Sequence, residues 1–227
     1  MGLPGRRERR GSDGSASPED RHGVGLWEFL THQSSLAAGI AMPAAKLLKL
    51  SNRGHTYAVR RFDRTPSSRR AYSSAMTGLD VTQSAGTRYL DIVQVIENSG
   101  TSNNIAADLE QLFRRALFNI LVGNRDDHLR NHGFLRQRDG WKLSPAFDVN
   151  PNPDKDHHVL AINEADPSPD YGLLLATSDY YRLEKKRAHT VVEQVRSAIR
   201  GWEDRALALG AGGSEIALMR AVIDAER

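Results

Sequence analysis

A chain of 227 residues, 39% hydrophobic and 26% charged, is long enough to bury a real core as one domain or as two lobes. It has no cysteine, which excludes disulfides, thiolate zinc sites and a cysteine nucleophile. Nowhere does it hold the about eighteen uninterrupted apolar residues that a membrane span needs. A formal net charge of +3 is too small to specify a polyanionic partner. Arg6, Arg7, Glu8, Arg9 and Arg10 stand where a secretory signal would place its apolar core, and together these absences favour the cytoplasm.

Residues 1–25 are rich in Gly, Ser, Arg and Asp and offer little apolar surface to offset ordering, which predicts a disordered lead-in. Leu26, Trp27, Phe29, Leu30 and Leu36 then recur at helical spacing, with Gly39 as the stop. Lys46 to Leu50 and His55 to Phe62 lean towards strand and are joined by Ser51-Asn-Arg-Gly54, the chemistry of a hairpin turn. From Ser67 to Gly86 the pattern predicts a loop with one short helix around Tyr72 to Leu79. Tyr89 to Asn98 reads as a helix. The strongest stripe follows, with Ile105, Leu109, Leu112, Phe113, Ala116, Leu117, Ile120 and Leu121 at steps of three and four, ending at Gly123. Gly133 to Gln137 and Trp141 to Ser144 form a second hairpin around Asp139-Gly140. Tyr180 to Leu183, Ala188 to Trp202 and Ile216 to Ala225 are predicted helical, with Trp202, Ala206 and Leu207 on the packing face of a penultimate segment.

The chemistry concentrates after Gly123. Asp126, an amide at Asn131 and a second carboxylate at Asp148 beyond a short hairpin form the layout that positions a hydroxyl and holds magnesium on a nucleotide. Asp126 follows a buried helix, where a rigid scaffold feeds a loop. Asn131 and Asp148 supply oxygen ligands enough for Mg²⁺ alongside phosphates. His128 is expected to brace the loop by a hydrogen bond, and Arg130 is a candidate phosphate contact. Asn and Asp are also the ordinary residues of corners and caps, so Asn124 to His128 taken alone reads first as a turn, and it is the hairpin leading to Asp148 that favours the chemical reading.

Other chemistries fit less well. Asp126, His128, His132 and Asp148, with His157 and His158 nearby, include plausible zinc or manganese ligands, but no Glu stands between His128 and His132 to act as a hydrolase base. No Gly-x-Ser-x-Gly elbow is present. Six arginines crowd Arg53 to Arg70 against the single acid Asp63, which fits either a solvated hairpin face or phosphate contact. Aromatic interleaving is sparse at 7% Phe, Trp and Tyr, which argues against direct nucleic-acid binding.

From about Trp27 onward the chain resembles the HipA-like serine/threonine kinases, the toxins of bacterial HipA/HipB toxin-antitoxin modules. The resemblance is carried by Leu36-Ala-Ala-Gly-Ile40 with Pro43, Arg60-Arg-Phe-Asp-Arg64, Tyr89-Leu-Asp-Ile92, Asn124 to Asn131 and Ser144-Pro-Ala-Phe-Asp148. It implies an α+β fold: a mostly helical kinase-like C-lobe with a small hairpin-plus-helix subdomain. Residues 26–227 would form the kinase region, with 26–66 the remnant of an N-lobe and 67–227 the helical lobe. Asp126 would be the catalytic aspartate. Arg60, Arg61 and Phe62 at the hinge, with His128 and Asn131, would form the ATP side of the site, and Asn131 and Asp148 would bind Mg²⁺. Transfer of the ATP γ-phosphate to a protein Ser or Thr is implied, with an aminoacyl-tRNA synthetase as substrate and a HipB-like DNA-binding antitoxin as partner.

The chain departs from the family upstream of Trp27. Family members carry a glycine-containing phosphate loop and an ATP lysine before that helix, whereas residues 1–25 contain neither. Glu28 matches a family acid whose lysine partner is missing. The expectation is therefore an incomplete N-lobe with weakened ATP binding, and the alternative function is a non-catalytic interaction module for an antitoxin or another subunit.

Overall fold

Apolar residues at helical spacing build helix α1 (Val24–Ala37), and its buried side contains Leu26, Trp27 and Leu30. The computed structural model describes residues 23–51 and 54–224, so most of the expected lead-in and the Asn52–Arg53 turn lie outside the described residues. Val24 and Gly25 already belong to α1. Helix α1 packs on an antiparallel hairpin of β1 (Ala45–Ser51) and β2 (Gly54–Val59). The approach is close enough to require glycine at position 25, where a Cβ would fall 2.4 Å from the His55 carbonyl oxygen.

A short strand, β3 (Tyr72–Ser74), runs into the single-turn helix α2 (Ala75–Gly78), capped by the Ser74 hydroxyl accepting from Thr77 N–H at 3.2 Å. The strand departs from the expected loop and short helix. Tyr72 to Ser74 pair antiparallel with the later β4 (Gly133–Arg136), which pairs in turn with β5 (Trp141–Leu143). The second hairpin is thus two strands of a three-stranded sheet in the order β3-β4-β5.

Helices α3 (Tyr89–Ser99) and α4 (Ile105–Val122) follow as the periodicity predicts. Helix α4 is the centre of the core, with Leu109, Leu112, Phe113, Leu117, Phe118, Ile120 and Leu121 all fully buried. Its end is set by Gly123 in the left-handed region (φ +69°), where an added Cβ would also fall 2.6 Å from Val222 Cβ. Two polar residues of α4 turn inward to hold the segment leading to Asp148. The Asp108 carboxylate accepts from Leu143 N–H at 2.9 Å, and Arg115 Nη2 donates to the Ser144 carbonyl at 2.6 Å. Burial pushes the Arg115 guanidinium down to about 10, against the opposing pull of Asp108 and Asp127.

The C-terminal half contains α5 (Tyr171–Ala176), α6 (Lys185–Ile199), α7 (Trp202–Leu209) and α8 (Gly213–Met219). A 3-10 turn at Ser178–Tyr181 stands where Tyr180 to Leu183 was expected helical. The expected helix through Trp202 divides in two, because Gly201 takes a left-handed conformation (φ +70°) and redirects the chain. That break lets the Trp202 ring pack against Trp27, with centroids 5.8 Å apart, so the C-terminal helices close over α1. Trp202 and Ala206 are buried as expected, whereas Leu207 is exposed. Among the described residues no helix is long and apolar enough to cross a membrane.

Candidate active site

The loop after Gly123 contains two adjacent carboxylates with opposite surroundings. Asp127 is buried, and three groups converge on its Oδ2: the Tyr89 hydroxyl donates at 2.6 Å, Asn119 Nδ2 donates at 2.9 Å, and His132 Nε2 lies at 2.8 Å. Burial pushes the Asp127 carboxyl up, but the His132 imidazole and the Tyr89 hydroxyl more than offset this and hold it below its ordinary value. Asn124 Nδ2 donates to Asn119 Oδ1 at 3.1 Å and extends the network to the loop's first residues. The brace expected of His128 is therefore made by His132. His128 Nδ1 is buried and has no hydrogen-bond partner among the described residues.

Asp126 points the other way, into solvent, where its carboxylate pairs with the Lys155 ammonium. A one-residue step along a braced loop thus separates a structural carboxylate from an accessible one. A 3-10 turn at Leu129–Asn131 follows, closed by Asn131 N–H donating to the His128 carbonyl at 2.8 Å. The Asn131 side chain makes no hydrogen bond to another described residue, and it borders a small internal cavity with Asp127, His132 and Phe147.

Asp148 is held from both sides. Ala146 N–H donates to the Ala41 carbonyl at 2.8 Å, and Thr31 Oγ1 on α1 donates to the Val149 carbonyl at 2.5 Å. Between these anchors Asp148 adopts φ +57°, a left-handed conformation that a non-glycine residue takes up at a cost of about 1 kcal/mol. Its tip is accessible although protein crowds around it. That crowding raises its carboxyl above the ordinary value against the pull of His128, and Asp127 and Asp126 add to the rise.

Arg60, Arg61 and Phe62, just beyond β2, line a cleft of about 310 Å³ together with Pro43, Tyr72 and Phe147. Tilted ring contacts connect this cleft to the acid. Phe62 lies 5.7 Å from Phe147, the residue before Asp148, and 6.2 Å from Tyr72. Arg60 is fixed through its backbone, whose N–H donates to the Ala44 carbonyl at 2.8 Å, whereas the Arg61 side chain is turned to Asp63.

The donor set suits magnesium better than a transition metal. Among the described residues no group of three His, Cys, Asp or Glu is arranged to hold a metal ion, and His132 is committed to Asp127. An amide and a carboxylate are the ligand types of an ion that takes its remaining ligands from phosphate and water.

Glu28 on α1 faces the same region and makes no ion pair among the described residues. Burial, and next the Asp148 charge, push its carboxyl from 4.5 to about 7, against a hydrogen bond from Asn150. An acid whose folded value is raised stabilises the fold below its unfolded value, and the contribution is lost as pH rises through the folded one. In chelator-containing buffer, the wild type is expected to lose stability relative to Glu28→Gln between pH 4.5 and about 7. The variant should be ahead by roughly 1–3 kcal/mol at alkaline pH. Urea unfolding across this range measures it, and parallel curves would contradict it.

A braced loop with an exposed aspartate, a second acid behind it and an aromatic-walled cleft, on this α+β scaffold, define a protein-kinase-like domain. The chain belongs to the HipA-like C-terminal domain family, whose pattern matches residues 11–202, and it is a HipA-like kinase C-terminal region. It is similar to HipA of Shewanella oneidensis MR-1, solved in complex with HipB and operator DNA, at a TM-score of 0.70 and 17% identity. That match covers 90% of this chain and 55% of the other, so the chain spans about half the length of that HipA. It is also similar to the Helicobacter pylori proinflammatory kinase CtkA, at a TM-score of 0.59 and 14% identity over 88% of this chain and 84% of that one. No curated protein matches it.

Proposed function

We propose that the cleft binds ATP and that the adjoining loop transfers its γ-phosphate to a serine or threonine hydroxyl of a protein, with residues 26–66 and 67–227 as the two lobes. The observation that carries this reading is the tilted ring contact of Phe62 with Phe147, which joins the cleft to the Asp148 segment. Phe62 and Tyr72 supply aromatic walls for a planar base. Asn131 and Asp148 would hold magnesium, which when bound neutralises phosphate charge. Asp126 would receive the acceptor proton while Asp127 keeps the loop rigid. By the family likeness, an aminoacyl-tRNA synthetase is the proposed substrate, a HipB-like antitoxin the proposed partner and the cytoplasm the proposed location.

A second reading, a non-catalytic module that binds an antitoxin or partner subunit, is favoured by one observation. Glu28 faces Asp148 without a cation to balance it among the described residues. Calorimetric titration with ATP separates the two. The kinase reading expects binding that strengthens with Mg²⁺, loses that dependence in Asp148→Asn, and weakens about tenfold in Phe62→Ala through loss of ring stacking. Absence of ATP binding to the wild type with Mg²⁺ would favour the module.

A further inference from the structure

The segment after Asp148 folds back onto the start of the catalytic loop and is fastened there at three points. Asn152 N–H donates to the Gly123 carbonyl at 2.8 Å, the buried Arg125 donates from Nη1 to the Lys155 carbonyl, and the Lys155 ammonium pairs with Asp126 Oδ1. Consecutive residues, Arg125 and Asp126, thus grip the backbone and the side chain of one lysine. No other cation is paired with Asp126 among the described residues. The Lys155 backbone is held, while its side chain stays 41% exposed on a flexible four-carbon stem, so the ammonium can sweep around a fixed root.

We propose that Lys155 is a further catalytic residue: it orients the Asp126 carboxylate before transfer and counters the charge of the phosphoryl group during it. The proposal rests on the kinase reading above. In that transfer the acceptor oxygen bonds to the γ-phosphorus as the bond to the bridging oxygen breaks. The electron pair of the broken bond leaves with ADP, and the hydroxyl proton passes to Asp126 and on to water. On taking the proton Asp126 becomes neutral, so its hold on the ammonium falls as the transferring group needs a cation. A positive charge already at the reacting atoms requires little reorganisation at that moment. Arg125 is a poor substitute because its guanidinium is engaged with the Lys155 backbone.

The test compares binding of ADP alone with binding of ADP plus aluminium fluoride, a mimic of the transferring phosphoryl group, by the full chain with Mg²⁺. It is read by calorimetry beside the rate of phosphate transfer. Wild type should prefer the mimic. Lys155→Ala should lose about 100-fold of that preference and of the transfer rate, with ADP affinity unchanged, and Lys155→Arg should recover part of both. Lys155→Met, which keeps the stem, checks that lost packing is not the cause. If Lys155→Ala keeps the preference and the rate, or transfers faster than wild type, the lysine proposal fails while the kinase reading stands. If the wild type neither prefers the mimic nor transfers phosphate, the kinase reading fails and the lysine proposal fails with it.

Discussion

Asp126→Asn is expected to slow phosphate transfer by about 1000-fold while leaving the affinity for ATP within about twofold. The carboxylate is 55% exposed, and its one partner among the described residues is the flexible Lys155, so little folding energy depends on it. Asparagine preserves the shape but cannot accept the hydroxyl proton. Loss should fall on kcat because the proposed reading puts Asp126 on the acceptor side, and Asp126 is not among the residues that line the cleft with Phe62 and Tyr72. Initial rates against ATP concentration decide this. A variant as fast as wild type, or one that loses ATP affinity as much as rate, would remove Asp126 from the proposed role.

The neighbouring substitution should act on the fold instead. Asp127→Ala is expected to cost about 3–5 kcal/mol of stability, because it strips the acceptor from three buried groups at once. The Tyr89 hydroxyl, the Asn119 amide and the His132 imidazole all meet Asp127 Oδ2 and belong to buried residues. Asp127→Asn, which keeps an acceptor oxygen, should cost less. The pH dependence has a definite sign. Because the folded carboxyl is held below its ordinary value, its stabilisation is present above the unfolded value of about 3.9 and is lost as pH falls through the folded one. The gap between wild type and Asp127→Ala in urea should therefore be widest near neutrality and shrink towards acid. A gap under about 1 kcal/mol at neutral pH would mean the network is not a brace.

Asp126 and Asp127 also show how far the site was legible from residues alone. Two adjacent aspartates carry no mark of which one faces inward, and the spacing to Asn131 selects Asp126 only by likeness to a family. A signal for Asp127 did exist in Asn119, an amide within the most apolar stretch of α4, since a polar residue on a buried face must find a partner. The sequence places both His128 and His132 near the loop, and only the turn between them decides which ring reaches Asp127. Lys155 lies 29 positions beyond Asp126 and is brought back by the Asn152 contact to the Gly123 carbonyl and by the Arg125 side chain, which no local pattern encodes.

The fold was legible where period and punctuation agree, as in the stripe of α4 and the left-handed Gly123. It was obscured where they conflict. Apolar spacing runs through residue 202, yet Gly201 breaks the helix, and the strand Tyr72–Ser74 is too short to alternate and exists because β4 pairs with it.

The central claim is tested most directly by incubating the full chain with Mg²⁺ and ATP labelled in the γ-phosphate, then identifying the modified amino acid. Label on serine or threonine with wild type, absent with Asp126→Asn and Asp148→Asn, is the result this account expects. A folded wild-type chain that binds ATP yet transfers no label to itself or to an added hydroxyl-bearing protein, or one whose transfer survives both substitutions, would contradict it.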